Sequence, residues 1–211
     1  MIATAGDFAK GFAEEQALRT TRIGMHLASL AGLGDDDRRT VFYLCLLRFV
    51  GCTATASQMA ATFGDELAVS ATFAAVDTRN LRAVATAVHS LTSGSAPRRL
   101  LDTARFMAVA PPVVREHEVA SCEVGQLFAT QAGLPDPVRA GLAQVFERFD
   151  GHGHPGSVGG QDIALPVRVA HAAHICELLL GGDDWASGLR TRAGSMLDPE
   201  LVALMCADPA A

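Results

Sequence analysis

The chain has 211 residues, of which 49% are hydrophobic and 19% charged, with a formal net charge of −6. This length fits one large domain or a domain with an extra lobe, and the composition excludes a disordered chain. The negative, interspersed charge excludes a nucleic-acid-binding surface on this segment. Residues Met1 to Lys10 lack the charged and then apolar pattern of a signal peptide. No uninterrupted run reaches the roughly 18 apolar residues of a membrane-spanning helix, so no membrane span is expected. The cysteines Cys45, Cys52, Cys122, Cys176 and Cys206 are scattered and form no CxxC pair, so buried free thiols in a reducing cytoplasm are expected. Lys10 is the only lysine beside many arginines, a bias ascribed to a GC-rich genome rather than to phosphate binding.

In chain order, almost every segment reads as helix. Residues 8–31 repeat apolar side chains every three or four positions and predict one helix, broken by Gly32 and Gly34. Asp35, Asp36 and Asp37 supply an N-cap and first-turn charge to the next helix, which runs to about Val50. Its residues Val41, Phe42, Leu44, Cys45, Leu46, Leu47 and Phe49 make it apolar nearly all round, the mark of a buried central helix. A short helix over 55–63 ends at Gly64, and one or two Ala/Val-rich helices follow over 66–91. The run Ser93-Gly-Ser-Ala-Pro97 punctuates the chain before a helix over 100–109, and Pro111-Pro112 opens a separate long helix that stops near Gly133. Another helix is predicted over 138–149, then a glycine-rich loop over 150–163 and a helix over 165–180 with Pro166 in its first turn. Two short helices close the chain, with Trp185 against a helix end. No alternating β pattern and no repeat is present.

One stretch is far more specific. Phe146-Glu-Arg-Phe-Asp-Gly-His-Gly-His-Pro155 is followed by Gly160-Gln-Asp-Ile-Ala-Leu-Pro-Val-Arg-Val-Ala-His-Ala-Ala-His174. This resembles the HD-GYP family, in which a helix ends in His-His-Glu-Arg, Asp-Gly-x-Gly-Tyr-Pro follows, and a Gly-rich loop leads into Ile-Pro-Leu-x-Ala-Arg and an Ala-Asp pair. Upstream, Gly32-Leu-Gly-Asp-Asp-Asp-Arg-Arg39 with Leu46-Leu-Arg-Phe-Val-Gly51 resembles the family's segment ending in Leu-Leu-His-Asp-Ile-Gly. Ser121-Cys-Glu-Val-Gly125 resembles its His-Pro-Glu-Ile-Gly. The resemblance implies an all-α, HD-domain-like multi-helix bundle over residues 1–211, with 53–110 a helical insertion or lobe that does not align.

The family's chemistry uses divalent metals held by His and Asp, which turn bound water into hydroxide near neutral pH. Here the family's His-Asp pair falls on Arg48 and Phe49, the His of His-Pro-Glu on Ser121, the His-His pair on Val145 and Phe146, and the Asp of Ala-Asp on His174. A guanidinium, a phenyl or an isopropyl group offers a cation no lone pair. The resemblance therefore implies a degenerate domain without catalytic residues, metal or cofactor, in which Val145, Phe146 and Phe49 fill the metals' volume. The expected role is regulatory, through a small-molecule ligand or contact with downstream domains of the same polypeptide or another protein, with a homodimer also open. The segment 46–54 and the ending Cys206-Ala-Asp-Pro-Ala-Ala211 resemble N-terminal modules of actinobacterial regulators that carry a LuxR-type helix-turn-helix further on.

The candidate ligand pocket comprises Arg48, Glu147, Arg148, Asp150, His154, Arg168, His171 and His174. Glu147, Arg148, Asp150 and Arg168 read first as a brace tying the Asp150 turn to the Arg168 helix, and second as an anion pocket in fork geometry. Among the histidines, His152 and His154 in the loop read as solvated, and His171 or His174 as core. The alternatives are a metal-dependent phosphohydrolase rebuilt on His154, His171, His174 and a carboxylate, or a sensor holding a small molecule or cofactor in the vacated cavity. Arg115-Glu-His-Glu118 reads as a solvated face.

Overall fold

The computed structural model describes residues 2–92, 96–182 and 184–208. Its helices are α1 (Ile2–Ala9), α2 (Gln16–Leu30), α3 (Asp35–Leu47), α4 (Ala56–Phe63), α5 (Glu66–Phe73), α6 (Leu81–Leu91), α7 (Ala96–Gln131), α8 (Asp136–Leu142), α9 (Leu165–Leu179), α10 (Trp185–Arg190) and α11 (Pro199–Ala207). Among the described residues there is no strand, only isolated bridges such as Phe146 with His154. The fold is all-α, as expected.

Helices α2, α3 and α9 pack on one another and form the centre, with α8 against α3 and α7 against α8. The reason is compositional: α9 carries Val167, Val169, Ala170, Ala172, Ala173, Ile175 and Cys176 on all its faces, so it can only sit inside. Leu27, Val41, Leu44, Leu142, Leu189, Leu197 and Met205 close round it. Gly24 lets α2 approach α3, because a Cβ there would meet Cys45 Sγ at 2.8 Å. The cysteines Cys45, Cys52, Cys122 and Cys176 are buried and free, and burial pushes the Cys45 and Cys122 thiols up to about 12, leaving them unreactive. The windowed hydropathy of 35–63 does satisfy the length and composition of a membrane span, contrary to the reading of uninterrupted runs. That stretch folds as α3, a 3₁₀ turn (Cys52–Thr55) and α4, and Val41, Leu44, Cys45 and Leu47 lie in the core.

Several boundaries differ from expectation. The helix expected over 8–31 is two, α1 and α2, separated by a turn in which Gly11 and Glu15 take left-handed φ of 69° and 64°. The N-cap of α3 is Gly34, not an aspartate side chain, and Asp35, Asp36 and Asp37 occupy its first turn. Phe42 is 40% exposed, so α3 is apolar beyond its buried face. Pro111 and Pro112 do not start a helix; α7 runs through them for 36 residues. The carbonyls they leave without helical donors belong to Met107 and Ala108, both exposed residues. The punctuation expected at 93–97 falls largely outside the described residues.

The lobe of α4, α5, α6 and the first half of α7 has a small core of its own. Phe106 stacks on Phe73 at 5.3 Å and meets Phe63 at 5.5 Å. Leu81, Leu100 and Leu101 stay 69%, 73% and 69% exposed, so this lobe covers its apolar residues far less completely than the centre does.

Candidate functional site

The segment carrying the most specific motif begins where α8 ends. That helix stops at Leu142 and not near Phe149, and residues 143–149 run on as turns into the loop. The loop folds back on them at Gly153, where a Cβ would lie 2.3 Å from the Arg148 nitrogen and 2.5 Å from the Glu147 Cα. Glu147, only 1% exposed, organises the return: its Oε1 accepts from the N–H of Gly156 at 3.1 Å, the N–H of Ser157 at 2.8 Å and the Ser157 hydroxyl at 2.9 Å. His154 enters the loop's far side with its Nδ1 2.5 Å from Glu118 Oε2 of α7, and His152 is exposed beside Arg79 at 2.8 Å.

The arginines beside this loop, Arg148 and Arg168, are both ion-paired. Arg148 donates to both Asp150 oxygens at 3.1 and 2.9 Å and to Asp77 Oδ1 at 2.8 Å, and Asp77 Oδ2 accepts from Ser195 at 3.0 Å. Burial pushes the Asp77 and Asp150 carboxyls up, but backbone N–H groups and the Arg148 guanidinium outweigh it and hold both below the ordinary range. Arg168 donates to Asp198 Oδ2 and, at 3.0 Å, to the Ile163 carbonyl. The expected brace from Asp150 to Arg168 is therefore corrected: two braces exist, one from Arg148 to the lobe through Asp77, the other from Arg168 to Asp198, the N-cap of α11. Between them, a cavity of about 10 Å³ lined by Glu147, Arg168, His171 and Asp198 has room for about one water, not for a nucleotide.

A different environment surrounds Arg48, at the C-terminal end of α3. Its guanidinium lies 5.6 Å from the ring of Phe49 and 5.4 Å from that of Phe146. It is 6% exposed, and its Nε and Nη1 have no hydrogen-bond partner. Burial pulls it down to about 10, so it stays cationic at neutral pH. His174 packs edge-on against Phe49 at 5.0 Å, and Phe12 of the N-terminal turn covers both, 5.4 Å from Phe49 and 5.8 Å from His174. Lys10 reaches to 5.8 Å from the Phe49 ring. Burial and the Arg48 charge hold His171 and His174 well below the ordinary histidine range, so both are neutral. His117, expected on a solvated face, is 5% exposed and shares a 2.6 Å hydrogen bond with Thr55; burial lowers it to about 4. Ser121 donates to the His117 carbonyl at 2.7 Å.

The HD-GYP resemblance implies divalent metals near this point, and the residues present do not fit one. A cationic fork between two phenyl rings repels a metal ion, and Val145 and Phe146 offer no lone pair. Among the described residues no group of three or more His, Cys, Asp and Glu is placed to hold a metal, so the rebuilt site of His154, His171, His174 and a carboxylate is not assembled. Where the sensor reading expected a vacated cavity, Phe12, Phe49, Phe146 and His174 pack against one another.

The candidate residues thus divide. Arg48, His171 and His174 lie together; Arg148 and Asp150 belong to one brace, Arg168 to another; Glu147 ties the loop, and His154 meets α7. Sequence reasoning missed Lys10, Phe12, Glu118, Asp77 and Asp198. Asp198 ahead of Pro199 carried a helix-capping signal, and its side chain indeed accepts from Glu200 at 2.9 Å. The others carry no local signal, because their partners are distant in sequence.

No protein-family model matches the chain. It is 25% identical over 207 residues to the 3′3′-cGAMP-specific phosphodiesterase 3 of Vibrio cholerae serotype O1, a match covering 95% of this chain and 45% of the relative. The crystal structure of a cyclic GMP-AMP-specific phosphodiesterase of V. cholerae superposes with a TM-score of 0.69 and 22% identity, over 99% of this chain and 48% of that one. The chain thus spans less than half the length of the protein it matches. The match overturns the expectation of a non-catalytic regulatory module, because the protein it resembles is an enzyme. Neither comparison supports the resemblance to actinobacterial LuxR-type regulators. The chain has the all-α, HD-domain-like fold of that phosphodiesterase, and the sequence match supports an HD-superfamily domain.

Proposed function

We propose that this chain works in the hydrolysis of a cyclic dinucleotide, as an HD-type unit of a phosphodiesterase. The observation that carries the reading is the match to a 3′3′-cGAMP-specific phosphodiesterase along 95% of the chain, with the fold kept throughout. The chemistry of the interior agrees with it. Lys10 and Arg48 are the cations against the Phe49 ring, the imidazoles beside them are neutral, and the one carboxylate acting on Arg48, Glu118, is engaged by His154, a setting that suits an anion such as a phosphodiester. No hydrolytic step is assigned to a metal at Arg48, where the residues do not fit one.

The direct test incubates the intact protein with 3′3′-cGAMP and, in parallel, with other cyclic dinucleotides in the presence of iron, manganese, nickel or magnesium. Linear dinucleotide, resolved chromatographically, is the expected product. Cyclic substrate left whole under every metal would sink the reading.

A further inference from the structure

A charge buried without a counter-charge is costly, and folded proteins pair such groups or bind something that pairs them. The described arginines beside the motif loop follow this rule, and Arg48 does not. Its Nε and Nη1 make no hydrogen bond, and among the described residues no carboxylate lies within salt-bridge distance of it. The carboxylate that acts on it most strongly, Glu118, is held by His154 at 2.5 Å. Nearby stand a second cation, Lys10, and His117, whose Nε2 is also buried and unpartnered. The rings of Phe49 and Phe146 hold the guanidinium but cannot satisfy its in-plane N–H donors.

We propose that Arg48 is an anion-binding centre: its unpartnered Nε and Nη1 donors take a phosphate or phosphodiester oxyanion directly, at the place where the family resemblance implies metal ions. This deepens the phosphodiesterase reading and rests on it for the identity of the ligand. Nε–H and Nη1–H of a guanidinium do not share an edge, so each donates singly to an oxyanion, and the planar group holds these donors in fixed directions, which a lone ammonium does not. With His171 and His174 neutral, Arg48 and Lys10 are the cations beside the Phe49 ring. Phe12 lies over Phe49 and His174, so the ligand enters by displacing the N-terminal turn, whose cover is one aromatic side chain and the Lys10 stem.

The test is thermal denaturation of the whole protein with increasing inorganic phosphate and, separately, 3′3′-cGAMP, for the unaltered chain, Arg48→Met and Arg48→Lys, with far-UV circular dichroism checking each fold. The unaltered protein is expected to gain Tm with either ligand. Arg48→Met is expected to melt higher than the unaltered protein without ligand and to lose the ligand-dependent gain at least tenfold in apparent affinity. Arg48→Lys, which keeps the charge and loses the fork, is expected to fall between them. If Arg48→Met melts lower and still responds to ligand, the arginine is a packing residue and the inference is overturned. It is equally overturned if the unaltered protein shows no response, or if Arg48→Lys responds in full while Arg48→Met also does. Hydrolysis by the unaltered protein together with an Arg48-independent response overturns the site and leaves the phosphodiesterase reading standing. An Arg48-dependent response to phosphate without hydrolysis does the reverse.

Discussion

Arg148 and Arg48 are both buried, both lie in the segments that carry the family-like motifs, and live in opposite surroundings. Arg148 has two aspartates, and through Asp77 it fastens the lobe to the centre. Arg48 has two phenyl rings and no acceptor for Nε and Nη1. Burial acts on both guanidiniums, yet the hydrogen bonds to Asp150 and Asp77 raise Arg148 above its ordinary value while Arg48 falls to about 10. The difference teaches how to tell a brace from a site. A paired arginine is part of the fold's own accounting of polar groups; an unpaired one is a demand the chain leaves open.

The largest expected effect tests the braced side. Asp198 is 3% exposed, and Asp198→Ala leaves Arg168 buried without its carboxylate and α11 without its cap. A loss of about 3–5 kcal/mol is expected, read as a lower urea midpoint at constant m-value. A loss below about 1 kcal/mol would mean that Arg168 finds another acceptor. Asp77→Asn comes next, with an expected loss of about 2 kcal/mol and protease cleavage appearing first in the lobe, because Arg148 and Ser195 both release it. Uniform loss of protection over the whole chain would show that the brace is not local.

Acid should distinguish the two regions without mutation. His117, His171 and His174 take up protons less readily when folded than when unfolded. Below the unfolded value of about 6.5 the unfolded state therefore binds more protons, and stability falls with pH from there through about 4, where His117 itself protonates. The Asp77 and Asp150 carboxyls are depressed, so their contribution persists below the ordinary carboxylate value and is lost only further down. Tm is expected to drop between pH 7 and pH 5 with the Arg148 brace intact. A flat Tm over that range would contradict the burial of the histidines.

Arg48→Met sharpens the other side of the comparison. Replacing an unpaired buried cation by an apolar chain of similar volume should stabilise the ligand-free protein by about 1 kcal/mol, visible as a raised urea midpoint. At the small end, Arg139→Ala removes an exposed pair with Asp136, and a change within about 0.5 kcal/mol is expected.

The sequence by itself determined a great deal of the helix inventory. The apolar run of α9 with Pro166 in its first turn, the stop of α4 at Gly64 and the loop after Asp150 are all encoded within a few residues, where propensity and burial point the same way. The motif segments at 46–51, 121–125 and 146–174 were also legible, since they are identities at fixed spacing. Boundaries were less so. The break at 10–15 depends on a left-handed Glu15 that no propensity favours, and α7 continues through Pro111 and Pro112 because its outer face meets water there. The site was decided by tertiary structure alone. Phe12 and His174 meet across 162 positions of chain, and Asp77 reaches Arg148 across 71. Whether a buried arginine is paired depends on which distant carboxylate the packing delivers, and local sequence carries no record of that delivery.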